Sequence, residues 1–297
     1  MDYISVEELI KAGAHFGHPT SRWHPSFIDY ISMKKNGVHI IDMENTSQCM
    51  MKAAQVIGEI VQGGGHVLFV GTKKQAKDAV QEAADRCGMY YIVERWLGGT
   101  LTNYGTIKKS IKRLTILEKE SSEIYANLTK KELNSLERER LRLADLHRGI
   151  KDMKHLPSAL FFVDGLHERI AISEARILGI PTIGIVDSNS DPTIIDYPIP
   201  ANDDSMKTIK LIVNFIADSI VETTGGKDEE ELSVEVSRDE VDKKGKSDSN
   251  NRSEGISRKG SQIEKNDETV EIDSEISNKE VEPQYEDKPN KETKGEN

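Results

Sequence analysis

Two kinds of apolar pattern alternate along residues 1–224: short continuous apolar runs and amphipathic segments. Short continuous apolar runs, such as HVLFVG (66–71), are typical of strands buried on both faces of a parallel sheet. Amphipathic segments at helical spacing lie between these runs and end at glycines. Because strand, helix and strand in this order form βαβ units, the pattern predicts an open, mainly parallel α/β sheet with helices on both faces, of the flavodoxin or Rossmann-like type. The predicted strands lie at 66–71, 89–93, 158–164 and 181–187, and the predicted helices at 72–88, 168–179 and 203–221.

The chain is predicted to begin with a short helix and a loop. Ser5 and Glu8 have the spacing of a capping box at the start of a helix over residues 5–14. The following segment, HFGHPTSRWHP (15–25), predicts a loop, because its glycine and two prolines prevent the helix from continuing.

An extended run follows over residues 30–42. Its Asn36-Gly37 pair predicts a tight turn before the apolar strand VHIID. Either Asn45 or Thr46 is then expected to cap the next helix, which ends at a glycine triplet.

Residues 105–150 interrupt the βαβ pattern. Two amphipathic arms each carry one narrow apolar stripe, and residues 126–129 supply a turn in which Thr129 and Glu132 have capping-box spacing. Two such arms are expected to pair, which predicts an inserted antiparallel coiled-coil helical hairpin that stands off the sheet. The stripes consist of Ile107, Ile111, Leu114 and Leu117 in the first arm and Leu133, Leu136, Leu143, Leu146 and Ile150 in the second.

Composition changes at residue 225. Residues 225–297 contain 13 Lys and Arg, 22 Asp and Glu and a single aromatic residue, Tyr285. Such a segment cannot bury enough apolar surface to offset its ordering entropy, so it predicts a disordered acidic tail. Most of the net charge of −11 belongs to this tail, and the body can therefore accept a polyanionic partner. The predicted organisation is an α/β sheet domain over 1–104 and 151–224, a hairpin over 105–150 and a tail over 225–297.

Several classes of protein are not supported by the sequence. Cys49 and Cys87 lack metal-ligand spacing and indicate reduced thiols in a cytoplasmic protein. We expect neither a signal peptide nor a membrane span, since no sufficiently long apolar run is present. We also expect no catalytic residues, because the nucleophile elbow GxSxG, the HExxH motif and Cys/His signatures are absent.

The stretch from Arg95 to Arg113, RWLGGTLTNYGTIKKSIKR, carries the clearest chemistry. It combines guanidinium, indole, phenol and amide groups with a lysine cluster, a mixture that neutralises phosphates and stacks on bases. The hairpin adds further bases among acidic residues, which leaves a solvated charged surface as the alternative. Trp96 has an alternative role as a core anchor where the insert meets the sheet.

Two other segments suggest ligands. GTKK, at the end of the strand over 66–71, favours phosphate, although both the phosphate-loop pattern and the dinucleotide fingerprint are absent. A nucleotide- or metal-dependent α/β enzyme is therefore the alternative function. If the N-terminal loop folds over the strand ends, His18 with Asp187, Asp203 and Asp204 can hold one structural divalent cation. Otherwise the histidines of this loop donate to carbonyls or phosphates and the aspartates cap helices and turns.

Seven blocks of the chain resemble the universal family of small ribosomal subunit protein two, in its bacterial form. They cover nearly the whole body in order, and the acidic tail is the departure from the family pattern. The blocks are KAGAHFGHPTSRWHP (11–25), VHIIDMENT (38–46), LFVGTKKQA (68–76), RWLGGTLTNYGTIKKSIKRL (95–114), GIKDMKHLPSALFFVD (149–164), GIPTIGIVDSNSDP (179–192) and IPANDD (199–204).

The resemblance implies a structural, non-enzymatic protein of the cytoplasmic ribosome with no required cofactor and no small-molecule substrate. Its expected partners are small-subunit ribosomal RNA and neighbouring ribosomal proteins, including the large one that captures messenger RNA. Mapped onto this sequence, the expected RNA-facing residues are Arg22, Trp23, Lys73, Lys74, Arg95, Asn103, Tyr104, Lys108, Lys109, Lys112 and Arg113.

Overall fold

The computed structural model describes the backbone of residues 4–119 and 128–245, and side chains as far as residue 225. Eight strands and seven α-helices lie in this part of the chain, together with short 3-10 turns. The strands are β1 (Phe16–Pro19), β2 (Ile31–Lys35), β3 (Val38–Ile41), β4 (Val67–Val70), β5 (Tyr90–Ile92), β6 (Ala159–Val163), β7 (Thr182–Val186) and β8 (Tyr197–Pro200). The helices are α1 (Val6–Ala12), α2 (Met43–Gln62), α3 (Lys77–Arg86), α4 (Tyr104–Glu118), α5 (Lys130–His147), α6 (Arg169–Ile177) and α7 (Met206–Gly245).

Five parallel strands form the central sheet in the order β5-β4-β6-β7-β8. Every residue of β4, β6 and β7 is buried, as the continuous apolar runs predicted. Phe69 and Phe161 lie side by side in the register and their rings are 5.2 Å apart. The predicted Rossmann-like α/β fold is confirmed.

The strand order places a topological switch point between β4 and β6. From this point successive connections lead to opposite edges of the sheet, so a crevice opens at the carboxyl ends of the two strands. The loops that follow these ends contain Thr72 and Lys73 after β4 and Asp164 after β6. Ligand sites of doubly wound folds occupy this position.

Strand β8 was not predicted. Its sequence, YPIP, contains two prolines that cannot donate to a ladder, so it does not resemble a central strand. It lies at the edge of the sheet and pairs on one side only, with β7, where the missing donors are tolerated. Edge position, which depends on the tertiary fold, makes this sequence a strand.

A separate three-stranded antiparallel sheet has the order β1-β3-β2. The predicted turn at Asn36-Gly37 is present, with φ of 53° and 76° at the two residues. The prediction of a loop over 15–25 was wrong at its start, because Phe16–Pro19 pairs with β3 as strand β1. Pairing with β3 holds this short segment as a strand, although it contains both glycine and proline.

Of the three predicted N-caps, at Ser5, at Asn45 or Thr46, and at Thr129, two are confirmed. Ser5 and Thr129 each accept a hydrogen bond from the backbone N–H of a glutamate three residues later, and both capping boxes are complete. Helix α2 instead begins after Asp42, whose carboxylate accepts from Glu44 N at 3.0 Å. The prediction of Asn45 or Thr46 as its cap was therefore wrong. Helix α2 thus begins earlier than predicted, whereas α3 begins later, at Lys77.

Helices α4 and α5 occupy the predicted insert and pack against each other. Leu114 and Leu117 of α4 form a small apolar cluster with Leu143 of α5. Leu133, by contrast, is 37% exposed, so the predicted stripe of the second arm is only partly covered. Residues 126 and 127 of the predicted turn lie outside the described residues, and the coiled-coil character of the pair stays a prediction.

Helix α7 continues beyond the predicted start of the tail. Its backbone is helical as far as Gly245, whereas the sequence predicted a boundary at residue 225. Residues 246–297 lie outside the described part of the chain, and the disorder of the tail stays a prediction. Within the described part of the chain, every helix is too short or too polar to span a bilayer.

Candidate nucleic-acid interface

A buried carboxylate organises the start of the basic stretch. Glu174 of α6 is 6% exposed and accepts hydrogen bonds from the backbone N–H groups of Gly99, Leu101 and Thr102 at 2.7 to 3.1 Å. It also accepts from Trp96 Nε1 and from the Thr102 hydroxyl, each at 3.1 Å. Five donors therefore converge on one side chain about seventy residues further along the chain.

The charge of Glu174 is stabilised in this position. Burial by itself would raise its pKa, but the hydrogen bonds from Thr102, Gly99, Trp96 and Leu101 outweigh burial and lower the pKa. The carboxylate is therefore ionised at neutral pH and binds the loop strongly. Sequence reasoning missed this residue, because a glutamate in an amphipathic helix carries no signal of a partner so far away.

Trp96 is the core anchor that the alternative interpretation described. It is 9% exposed and belongs to the main hydrophobic core. Gly99, three residues later, has φ of 87°, a conformation that glycine adopts without strain. The indole and the glycine let the chain leave the sheet in one fixed conformation and enter α4 at Tyr104.

The lysine cluster on α4 divides into two groups. Lys109 and Lys112 are exposed and have no ion pair within the described residues. Lys108 donates to the Lys154 carbonyl at 2.6 Å and lies 5.0 Å from the Tyr104 ring. Two exposed lysines at the root of the insert are thus available to a partner.

Other predicted RNA-facing residues have internal contacts. Tyr104 is buried and its hydroxyl donates to the Met153 carbonyl. Arg113 donates to both carboxylate oxygens of Glu139 at 3.1 Å. Arg95 and Asn103 are exposed at the surface of the same stretch, so the side chains that present polar groups to solvent alternate with side chains that hold the stretch in place.

Arg22 and Trp23 lie elsewhere, beside the three-stranded sheet. The Trp23 ring is half-buried against His39, with 5.0 Å between ring centroids, and Lys34 Nζ lies 5.3 Å from it. Arg22 is exposed. Exposure is compatible with RNA contact for Arg22 and Lys74, and the roles of all these residues stay predictions.

Lys73 lies in an acidic environment. Its Nζ is 2.7 Å from Asp203, 2.8 Å from Asp204 and 3.1 Å from Asp164. Burial would lower the Lys73 pKa, but the neighbouring carboxylates reverse this effect and raise it. The ammonium group therefore balances the aspartates that follow β6 and β8, and its predicted contact with RNA stays a prediction.

The turn after β4 is closed by a second buried glutamate. Glu168 accepts from the Thr72 backbone N–H at 2.8 Å and from its hydroxyl at 2.6 Å. Burial raises the pKa of Glu168. Because a carboxylate takes the donors of this turn, and Lys73 faces aspartates, the GTKK segment does not have the arrangement of a phosphate-binding loop.

The predicted metal ligands are brought together at the carboxyl ends of the parallel strands, beside Lys73. His18 Nδ1 lies 2.8 Å from Asp187 Oδ2, and Nε2 lies 3.6 Å from Asp204 Oδ2. The contact with Asp187 raises the His18 pKa. Asp203 Oδ2 is buried without a hydrogen-bond partner among the described residues. Ligand atoms of His18, Asp203 and Asp204 lie within 4.8 Å of one another.

Gly17 explains how β1 reaches these aspartates. A Cβ atom at this position would lie 2.8 Å from Ser188 Oγ and 3.2 Å from Asp187 Oδ1. The next residue, His18, donates its backbone N–H to the same Ser188 hydroxyl at 2.8 Å. The N-terminal segment therefore lies over the strand ends, which is the condition on which the cation hypothesis depended.

Fold and site together define a class of protein: a Rossmann-like α/β protein whose strand-end crevice holds its own ion pairs and whose inserted helices carry exposed bases. The Ribosomal protein S2 family model matches residues 9–223, and the chain belongs to this family. The family comprises structural, non-enzymatic proteins of the small ribosomal subunit, so the chain is a ribosomal protein that takes part in translation. Membership confirms the resemblance, and the family is a structural one, not a family of enzymes.

Proposed function

We propose that the protein binds small-subunit ribosomal RNA through the exposed bases of Arg95–Arg113. The observation that carries this proposal is the pair of exposed lysines, Lys109 and Lys112, on a helix whose entry is held by Glu174. Lysines fix a protein on phosphates, and a rigid support reduces the entropy lost on binding. Lys108 and Arg113 lie on the same helix, where their contacts with the Lys154 carbonyl and with Glu139 fix their positions.

Charge reversal tests the proposal. Full-length Lys109→Glu/Lys112→Glu is expected to bind in vitro transcribed small-subunit ribosomal RNA about tenfold more weakly, or worse, in about 0.1 M salt. Loss of two phosphate contacts also makes the negative slope of log K against log salt concentration shallower by about 1.5. Filter binding over a salt series measures both quantities.

The matched control is Lys52→Glu/Lys207→Glu, which makes the same charge change at exposed lysines of α2 and α7. The control is expected to lose much less affinity than the test variant. Equal losses in the two variants would show that total charge, and not the stretch 95–113, determines RNA binding.

A divalent cation at the strand ends is the second proposal. Lys73 contacts the Oδ1 atoms of Asp203 and Asp204, so their Oδ2 atoms are left for another ligand. His18 Nε2 lies on the Asp204 Oδ2 side, and the Asp203 Oδ2 atom is an unpartnered buried acceptor. One imidazole and two carboxylates suit zinc, and a cation there would offset the excess negative charge.

The partner proteins include, by our proposal, the large ribosomal protein that captures messenger RNA. An apolar groove of 460 Å³ on the three-stranded sheet supports such a contact. Phe16 and Met33, which line it, are 50% and 55% exposed. Exposure of two large apolar side chains in one groove is unfavourable in water unless another surface covers them. Because Phe16 and His18 share strand β1, this groove adjoins the proposed cation.

A further inference from the structure

A second basic surface lies on the other helix of the insert. A cleft of 590 Å³ opens between α5 and the segment that follows β5. Three of its residues are arginines, contributed by two separate parts of the chain, and three are leucines. It is lined by Glu94, Arg95, Leu97, Arg138, Leu141, Arg142, Asp145 and Leu146.

The arginines of this cleft make no ion pair with another described residue. Arg95, Arg138 and Arg142 are all exposed, and none has an ion pair or side-chain hydrogen bond with another described residue. The three differ in this respect from Arg113 and Arg140, which bind glutamates.

Nearby carboxylates already have other partners. Glu139 binds Arg113 at 3.1 Å, and Glu94 binds Lys77 at 2.5 Å. Glu137 binds Arg140 at 2.6 Å. Among the residues that line the cleft, Asp145 is the one carboxylate without an ion pair to a described residue. The cleft therefore keeps an excess of positive charge.

The three guanidinium groups are supported on both sides of the cleft. Arg138 and Arg142 are four residues apart on α5 and share one face of the helix. Arg95 precedes Trp96, whose indole nitrogen donates to Glu174, so its backbone is held by the core. Leu97 and Leu141, which is 50% exposed, add an apolar surface between them.

We propose that this cleft binds the backbone of ribosomal RNA, with one or two phosphates at the arginines and the adjoining ribose or base against the two leucines. Guanidinium groups form paired hydrogen bonds with phosphate oxygens, and two arginines one helical turn apart can hold the same phosphate or neighbouring ones. The proposal rests on the proposed RNA-binding function and adds a second contact surface, on α5, to the lysines of α4.

RNA is favoured over an acidic protein segment by the character of the cleft. Its bases are arginines without lysine, and they converge from two elements around an apolar patch, which suits a phosphate beside a flat ring. An acidic protein remains the competing occupant, and the experiment separates the two.

The test uses full-length Arg138→Ala/Arg142→Ala and in vitro transcribed small-subunit ribosomal RNA. We expect binding about tenfold weaker in about 0.1 M salt and a salt slope smaller by about 1.5. Arg138→Lys/Arg142→Lys keeps the charge but loses the planar fork, so it is expected to recover only part of the affinity. Asp145→Asn removes the acidic neighbour and is expected to strengthen binding.

Arg169→Ala/Arg176→Ala is the matched control, because it removes two exposed arginines from α6. Unchanged affinity and slope in the cleft variant, with normal RNA binding by the wild type, would overturn the cleft and leave the proposed function standing. Absence of RNA binding by the wild type would overturn both. Unchanged RNA affinity with lost binding of an acidic small-subunit protein would assign the cleft to protein instead.

Discussion

Glu174 shows how much one side chain contributes to the conformation of the candidate interface. Its carboxylate holds Trp96, Gly99, Leu101 and Thr102 in a single loop conformation. Without it, three backbone donors would lose their acceptor, which costs more than the hydrogen bonds contribute. The exposed bases of the stretch depend on this buried acid for their position.

Glu174→Gln is therefore expected to destabilise the protein by about 3 kcal/mol at pH 7. The amide keeps one acceptor oxygen but turns an NH₂ group toward backbone donors. Urea unfolding measures the change. Glu59→Gln on α2, an exposed residue bonded to Gln55, is the control and is expected to change stability by less than about 0.5 kcal/mol.

The pH dependence of this difference has a defined sign. The folded-state pKa of Glu174 is lowered, so its contribution is complete above the ordinary pKa of about 4.5 and disappears as pH falls through the folded value. The stability gap between the wild type and Glu174→Gln should therefore close in acid. A gap that is the same at pH 7 and pH 3 would show that ionisation of Glu174 is not the source.

At the scale of elements, α4 and α5 are joined by a narrow contact. Leu114 and Leu117 are 1% and 2% exposed, and Leu143 faces them from α5. Outside this cluster, ion pairs such as Arg113 with Glu139 connect the two helices. Exposed ion pairs contribute little, so the leucines are the main source of stability for the pair.

Leu114→Ala is expected to cost about 3 kcal/mol, since it opens a cavity in a small cluster. The loss should speed hydrogen exchange in α4 and α5 before the central sheet, a pattern that mass spectrometry resolves. Ile116→Ala, on the same helix at a position 41% exposed, is the control and should change exchange little. Similar effects of both variants would exclude this face as the helix contact.

At the scale of the whole molecule, the topology concentrates charge at the carboxyl ends of the parallel strands. Lys73, Asp164, Asp187 and Asp203 follow four different parallel strands, and β1 adds His18 from the other sheet. Burial and the charges of Asp164 and Asp187 raise the pKa of Asp203. Lys73 and His18 are together fewer than the four aspartates around them, Asp164, Asp187, Asp203 and Asp204, which favours an additional cation.

Isothermal titration calorimetry with zinc and with magnesium tests this site. Metal analysis of the purified chain tests it independently. We expect about one zinc ion per chain and weaker binding, by about tenfold or more, in Asp203→Asn. Asp152→Asn, at an exposed aspartate, should bind like the wild type. No zinc binding by the wild type, or identical binding by Asp203→Asn, would rule out the site.

Local physical chemistry was sufficient to predict much of this protein. Capping boxes at Ser5 and Thr129 and the turn at Asn36-Gly37 depend on residues a few positions apart. Buried parallel strands were recognisable because both of their faces must be apolar. Family blocks along the chain then identified the protein, and the stretch 95–113 was singled out by its own composition.

Tertiary structure alone decided the rest. The prolines of β8 are acceptable only at a sheet edge, and Phe16–Pro19 becomes a strand only beside β3. Glu174 and Lys73 acquire their roles from partners 72 to 130 residues away in the chain. Burial and long-range pairing determine which charges are used internally and which stay exposed to solvent, and neither is encoded by spacing along the sequence.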